Sequence, residues 1–109
     1  MEQLLMNLRD YQNRIEDTWI KNENDRERII LGIFGESGEI AELLKKKYRG
    51  DIIEDFLKKL RKEIGDVFYY LCKLCNYYGF SAENILQENI DKLKDRQTRN
   101  AIKGNGNDR

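Results

Sequence analysis

The sequence predicts an all-α protein with a four-helix bundle-like fold. Its 109 residues contain no proline, the residue that most reliably breaks helices. Apolar side chains recur at three- and four-residue steps over long stretches, which is helical periodicity. The glycines fall mainly near the ends of those stretches. Charged residues make up 37% and hydrophobic residues 39% of the chain, the balance of exposed amphipathic helices around a small core. The length fits one domain, here residues 1–103 with a tail at 104–109. A helical chain of this size tends to gain core by associating, so a dimer or tetramer is expected.

Each helix has its own signal. The first is expected over Glu2–Lys21, from Leu4, Leu5, Leu8, Tyr11, Ile15 and Trp19. Asn22–Asp25 breaks it and offers Asn24 or Asp25 as a cap. The second covers Arg26–Tyr48, with Ile30, Ile33, Phe34, Ala41 and Leu44 on one face. Lys45, Lys46 and Lys47 suit the negative end of its dipole, and Gly50 stops it. The third covers Ile53–Tyr78, with an apolar stripe from Phe56 to Tyr78 and Gly79 after it. Ser81 caps the fourth, Ala82–Ile102. The glycine- and asparagine-rich tail has the composition of a loose segment.

Composition narrows the function. Lysine plus arginine and aspartate plus glutamate are 20 each. A general nucleic-acid or anionic-membrane binder would carry a basic excess. There is no histidine, so serine–histidine and cysteine–histidine catalysis are excluded, as are histidine metal sites. Cys72 and Cys75 cannot make a four-ligand zinc site alone, and they fall within a helix. They read as buried or half-buried free thiols suited to a reducing cytoplasm. No stretch has the length and apolarity of a membrane span.

The acidic residues form a constellation. Glu36 and Glu39 lie one turn apart on the second helix; Glu63 and Asp66 lie one turn apart on the third. Between the pairs lie 23 residues, which hold a helix end, a turn and a helix start. Two antiparallel helices therefore can bring the pairs face to face. At about 100° per residue, Glu36 projects beside Ile40, between Ile29 and Leu43, and Glu63 projects between Phe56 and Val67. An unpaired carboxylate on an apolar stripe is costly without a partner. Converging carboxylates suit an oxygen-only site for Mg²⁺, with Mn²⁺ as the alternative. Taken alone, E-x-x-E on a charged helix is equally the pattern of a solvated face.

The fourth helix carries a polar ridge, Asn89, Lys92, Arg96 and Arg99. Such a ridge suits phosphate oxygens and the hydrogen-bonding groups of a nucleotide. It also suits a solvated face paired to Glu88, Asp91 and Asp95. Among the aromatics, Trp19 or a tyrosine is the type to stack on a base.

These strings, taken together, carry a resemblance. Gly32–Lys47 (GIFGESGEIAELLKKK) resembles the first motif of the MazG-like, all-alpha NTP pyrophosphatase superfamily. Glu63–Leu71 (EIGDVFYYL) resembles its second. Glu88–Arg96 (ENIDKLKDR), with Arg99 and the tail GNGNDR, resembles the C-terminal signature of short single-domain members. Tyr11, Gln12 and Thr18 resemble their first helix. Asn100 and Asn107 depart from the pattern, where glycine and aspartate are usual.

The resemblance implies a bundle that dimerises or pairs dimers, and Mg²⁺ held by Glu36, Glu39, Glu63 and Asp66. It implies cleavage between the α- and β-phosphates of a nucleoside triphosphate, giving a monophosphate and pyrophosphate. Water would attack the α-phosphorus, with one of the four acids, Glu36 or Glu39 foremost, as base. Asn89, Lys92 and Arg96 fall at positions near the phosphates or nucleotide, with Arg99 and Arg109 as weaker correspondences. Two other readings stand beside this one. The first is a dUTPase-like enzyme of narrow pyrimidine choice. The second is a non-catalytic helical interaction module, whose stripes serve only as interfaces.

Overall fold

The structure, a computed structural model, describes residues 5–99. Helix α1 spans Leu8–Arg14, α2 Asp25–Tyr48, α3 Phe56–Tyr78 and α4 Ala82–Thr98; a 3₁₀ turn, Ile15–Thr18, follows α1. The described residues form no strand. The tail from Gly104 to Arg109, the departures at Asn100 and Asn107, and the expected end of the fourth helix at Ile102 lie outside the described residues.

Helix α1 is much shorter than its periodicity suggests. Asn7 caps it, its side chain accepting from the backbone N–H of Asp10 at 2.8 Å. An asparagine at that position opens a helix rather than continuing one. At the other end the Thr18 hydroxyl donates to the carbonyl of Ile15 at 2.7 Å. That local bond competes with the helical ladder, and Trp19 is already extended.

Helices α2 and α3 form an antiparallel hairpin, the main packed unit of the chain. Gly50, at φ 97°, ends the first arm. Asp55 stands in the left-handed region at φ 55°, so the second arm starts at Phe56 rather than Ile53. Gly32 sets how closely the arms approach, since a Cβ there would run into the Tyr70 ring. The packed face of α2 differs from the expected one. Ile29 is fully buried, whereas Phe34 is 71% exposed. The face toward α3 runs Ile29, Ile33, Glu36, Ile40, Leu43, one step round the helix from the expected stripe.

A second small core sits where α1 crosses the hairpin. Ile15, Cys72 and Ala82 are buried there, with Leu8, Tyr11, Tyr69 and Cys75 packed around them. Gln12 fastens the crossing. Its amide donates to Asn76 Oδ1 at 2.8 Å and to the Phe80 carbonyl at 2.7 Å, and its oxygen accepts from the Ala82 N–H at 2.9 Å. Gly79, at φ 74°, ends α3, and Ser81 caps α4 through the Asn84 N–H. Helix α4 then leans on α1, with an Arg9–Glu83 ion pair of 2.8 Å. It does not lie along the hairpin, so the described part of one copy makes a hairpin with two flanking helices rather than a closed bundle. The Cα radius of gyration is 17.4 Å, against about 13 Å for a compact domain of this length.

Candidate metal and nucleotide site

The acidic constellation assembles at the middle of the hairpin. Antiparallel pairing puts Glu36 of α2 opposite Glu63 and Asp66 of α3, and one carboxylate oxygen from each lies within 4.8 Å of the others. Glu36 and Glu63 are half-buried and Asp66 is exposed, so the group opens to solvent on the Asp66 side. Glu39 stands one turn further along α2, exposed and outside this three-way group.

The electrostatics are those of like charges brought together. The carboxyl of Glu36 is pushed above the usual carboxylate range, first by burial and then by Asp66, Glu63 and Glu39. No lysine or arginine is among the groups acting on it. Three oxygen donors with no neutralising base fit a hard divalent cation. Glu36, Glu63 and Asp66 are the residues that would hold one.

The structure separates the ridge on α4 from this cluster. Asn89, Lys92 and Arg99 are exposed, and Arg99 pairs with Asp95 of its own helix at 2.8 Å. Arg96 is half-buried, and its Nε has no hydrogen-bond partner. Trp19 and Tyr70 build an aromatic corner, 6.3 Å apart edge to face. Tyr70 lies one turn after Asp66, and Gly32, which it contacts, lies one turn before Glu36.

Sequence reasoning missed the polar network that holds Trp19 in place. Lys73 is 5% exposed. Its ammonium donates to both carboxylate oxygens of Glu16 at 2.7 Å and lies 4.9 Å from the Trp19 ring centroid. Asn76 donates to the same Glu16 at 2.8 Å, and Arg28 covers the Trp19 ring at 4.6 Å. Burial alone would raise the Glu16 carboxyl, but Lys73 and Asn76 outweigh it and hold it below its ordinary value. The Thr18 and Tyr69 hydroxyls share a hydrogen bond of 2.8 Å. The only signal for Lys73 was its register, one turn after Tyr69 and Tyr70. Cys72 and Cys75 are free thiols, buried and half-buried, each raised by burial.

Comparison with known proteins agrees with this architecture. Residues 24–100 match the MazG nucleotide pyrophosphohydrolase domain. The match takes in both arms of the hairpin and α4. The chain is also similar to the "Gene 37 protein" of Mycobacterium phage L5, 36% identical over 84 residues, 74% of each chain. No solved structure matches significantly. With more than two thirds of its length in that match and both acidic pairs inside it, the chain belongs to the MazG nucleotide pyrophosphohydrolase family.

Proposed function

We propose that this chain is a Mg²⁺-dependent nucleoside triphosphate pyrophosphohydrolase that converts (d)NTP to (d)NMP and pyrophosphate. The observation that carries the reading is the convergence of Glu36, Glu63 and Asp66 across the hairpin, with no basic group acting on Glu36. When bound there, a divalent ion (Mg²⁺, or Mn²⁺ in its place) supplies charge neutralisation for phosphate oxygens. Glu36, Glu63 and Asp66 would hold it. Glu39 is left free beside them and takes the proton from the water that attacks the α-phosphorus. The proton thus ends on Glu39, the α–β anhydride bond breaks, and pyrophosphate leaves. Asn89, Lys92, Arg96 and Arg99 are the proposed contacts to phosphates and nucleotide. The protein acts as a homo-oligomer in the cytoplasm, with no nucleic-acid or membrane partner. No described helix is long and apolar enough to cross a membrane.

The test is product analysis. Purified protein is incubated with Mg²⁺ and a panel of NTPs and dNTPs, and products are separated by chromatography. Monophosphate plus pyrophosphate, abolished by EDTA, is the expected outcome. Turnover of dUTP alone would select the dUTPase-like variant. Diphosphate plus orthophosphate would overturn the cleavage position. No turnover, with metal leaving thermal stability unchanged, would favour the non-catalytic interaction module.

A further inference from the structure

The charge of this chain is balanced as a whole but not along its length. Residues 45–62, which end α2, make the turn and start α3, carry eight lysines and arginines against three acids. Of the 20 charges of each sign in the chain, that leaves 12 basic and 17 acidic residues elsewhere. Hairpin pairing gathers the two basic runs at one tip, while α1 is fastened at the other end, to Asn76 and Phe80. Little within the tip neutralises it. Arg49 takes Asp51 at 2.8 Å, and Lys45 reaches back to Glu42 at 3.6 Å. Lys46, Lys58, Lys59, Arg61 and Lys62 are exposed and form no ion pair among the described residues. The same tip holds out three large apolar side chains: Ile52 is 99%, Tyr48 87% and Leu57 70% exposed. Leu57 shares one hollow with Lys58, Arg61 and Lys62.

This combination selects among anionic partners. Like charges so crowded repel one another until counter-charge arrives. A nucleic-acid backbone supplies charge but leaves Ile52 and Leu57 uncovered. A duplex or an anionic bilayer also extends beyond the tip, where it meets the acidic remainder of the chain and is repelled. A short acidic segment meets the basic tip alone. We propose that the hairpin tip is a docking surface for a short acidic segment of another protein. Its carboxylates face Lys58, Arg61 and Lys62, and one of its apolar side chains sits on Leu57. The three bases are spaced three and one residues apart, so they share one face of α3. Acids at matching spacing on a partner helix complement them, as charged flanks do between paired helices. No residue of this surface is among the proposed metal or nucleotide contacts, so it stands or falls apart from the catalytic reading.

The experiment is fluorescence anisotropy with the full chain and no Mg²⁺. The probe is a labelled synthetic peptide of glutamate, aspartate, leucine and phenylalanine, patterned as an amphipathic helix. Its counterpart carries glutamine and asparagine in place of the acids. Saturable binding of the acidic peptide, weakened by salt and absent for the counterpart, is the expected result. Lys58→Glu with Arg61→Glu is expected to weaken it by about tenfold or more, and Leu57→Ser by about threefold. These side chains are exposed, so far-UV helicity is expected to hold in each variant. Lys21→Glu with Lys94→Glu makes the same change in net charge away from the tip and is expected to leave binding unchanged. No binding of the acidic peptide would overturn the proposal, as would equal binding of its counterpart. An equal loss in the Lys21 and Lys94 variant would reduce the effect to net charge and overturn it too. Duplex DNA or phosphatidylserine vesicles, run as competitors, are expected to bind more weakly than the peptide. Tighter binding of either would hand the tip to that surface instead.

Discussion

In the proposed site Glu63 and Asp66 act as charges, so near-isosteric removal of charge is the cleanest intervention. Glu63→Gln or Asp66→Asn is expected to lower metal-dependent turnover by about 100-fold or more with the helical spectrum intact. Undiminished activity in both would sink the site. The same geometry predicts a metal effect on stability. Mg²⁺ is expected to raise the melting temperature of the wild type, and Glu36→Gln is expected to reduce that rise, as read by differential scanning fluorimetry. These residues were legible in advance because two signals agreed: one-turn spacing within each pair, and a place on or beside an apolar stripe. The helical wheel put Glu36 by Ile29 and Ile40, which is where it faces α3. Glu39 showed the same one-turn spacing, but it stands exposed and outside the three-way group.

The pair of buried Lys73 and solvent-facing Glu16 makes a different kind of prediction. Lys73 is 5% exposed, so Glu16→Ala strands an ammonium without its counter-charge. The expected loss is about 1–2 kcal/mol, between a buried and an exposed pair because Glu16 itself meets solvent, read as a lower midpoint in urea. The sign of the pH effect follows from the lowered Glu16 carboxyl. Its stabilisation is fully present above the unfolded-state value near 4.5 and is lost as pH falls through the lower folded-state value. Acid titration of stability should therefore be shallower below that point in Glu16→Gln than in the wild type. Lys73 was not legible as a buried residue. A lysine inside an amphipathic helix reads as solvent-facing, and only the crossing of α1 over α3 covers it.

At the scale of elements, the hairpin and α4 were readable and α1 was not. Helix starts and stops rest on local chemistry, and Gly50, Gly79 and Ser81 fall where that chemistry predicts. The first helix carried competing signals. Its apolar spacing runs past Trp19, but Asn7 and Thr18 each satisfy backbone groups locally and cut it to two turns. The face of α2 was misjudged for a related reason. Phe34 is the largest hydrophobe of α2 before its final turn, but Gly32 is what allows the arms to close, and the packed stripe follows Gly32. Gly32→Ala is expected to cost about 1–3 kcal/mol through overpacking against Tyr70, measured by thermal or urea denaturation. A wild-type midpoint in that variant would show that the Tyr70 ring can move aside without penalty.

For the molecule as a whole, the decisive quantity is how little one copy buries. Ile15, Ile29, Cys72 and Ala82 are the only buried apolar residues among those described. A chain so extended exposes on α3 and α4 what a closed bundle would hide. Length alone pointed toward association. Which side chains of α3 stay exposed could not be read that way, because two apolar stripes interleave on that one helix. Only the structure assigns Phe56, Val67 and Tyr70 to α2 and leaves Phe68 and Leu71 over.

The clamp around Trp19 has a consequence for how the protein can be watched. This is the one tryptophan in the chain. Its ring lies between groups from three segments: the turn after α1, Arg28 of α2 and Lys73 of α3. Its emission is therefore a built-in reporter of whether α1 is docked, separate from circular dichroism, which the long hairpin dominates. Followed together through a denaturant series, the two signals should coincide if the flank and the hairpin melt as one unit. Fluorescence moving first would mark α1 as a separately opening flap over the site.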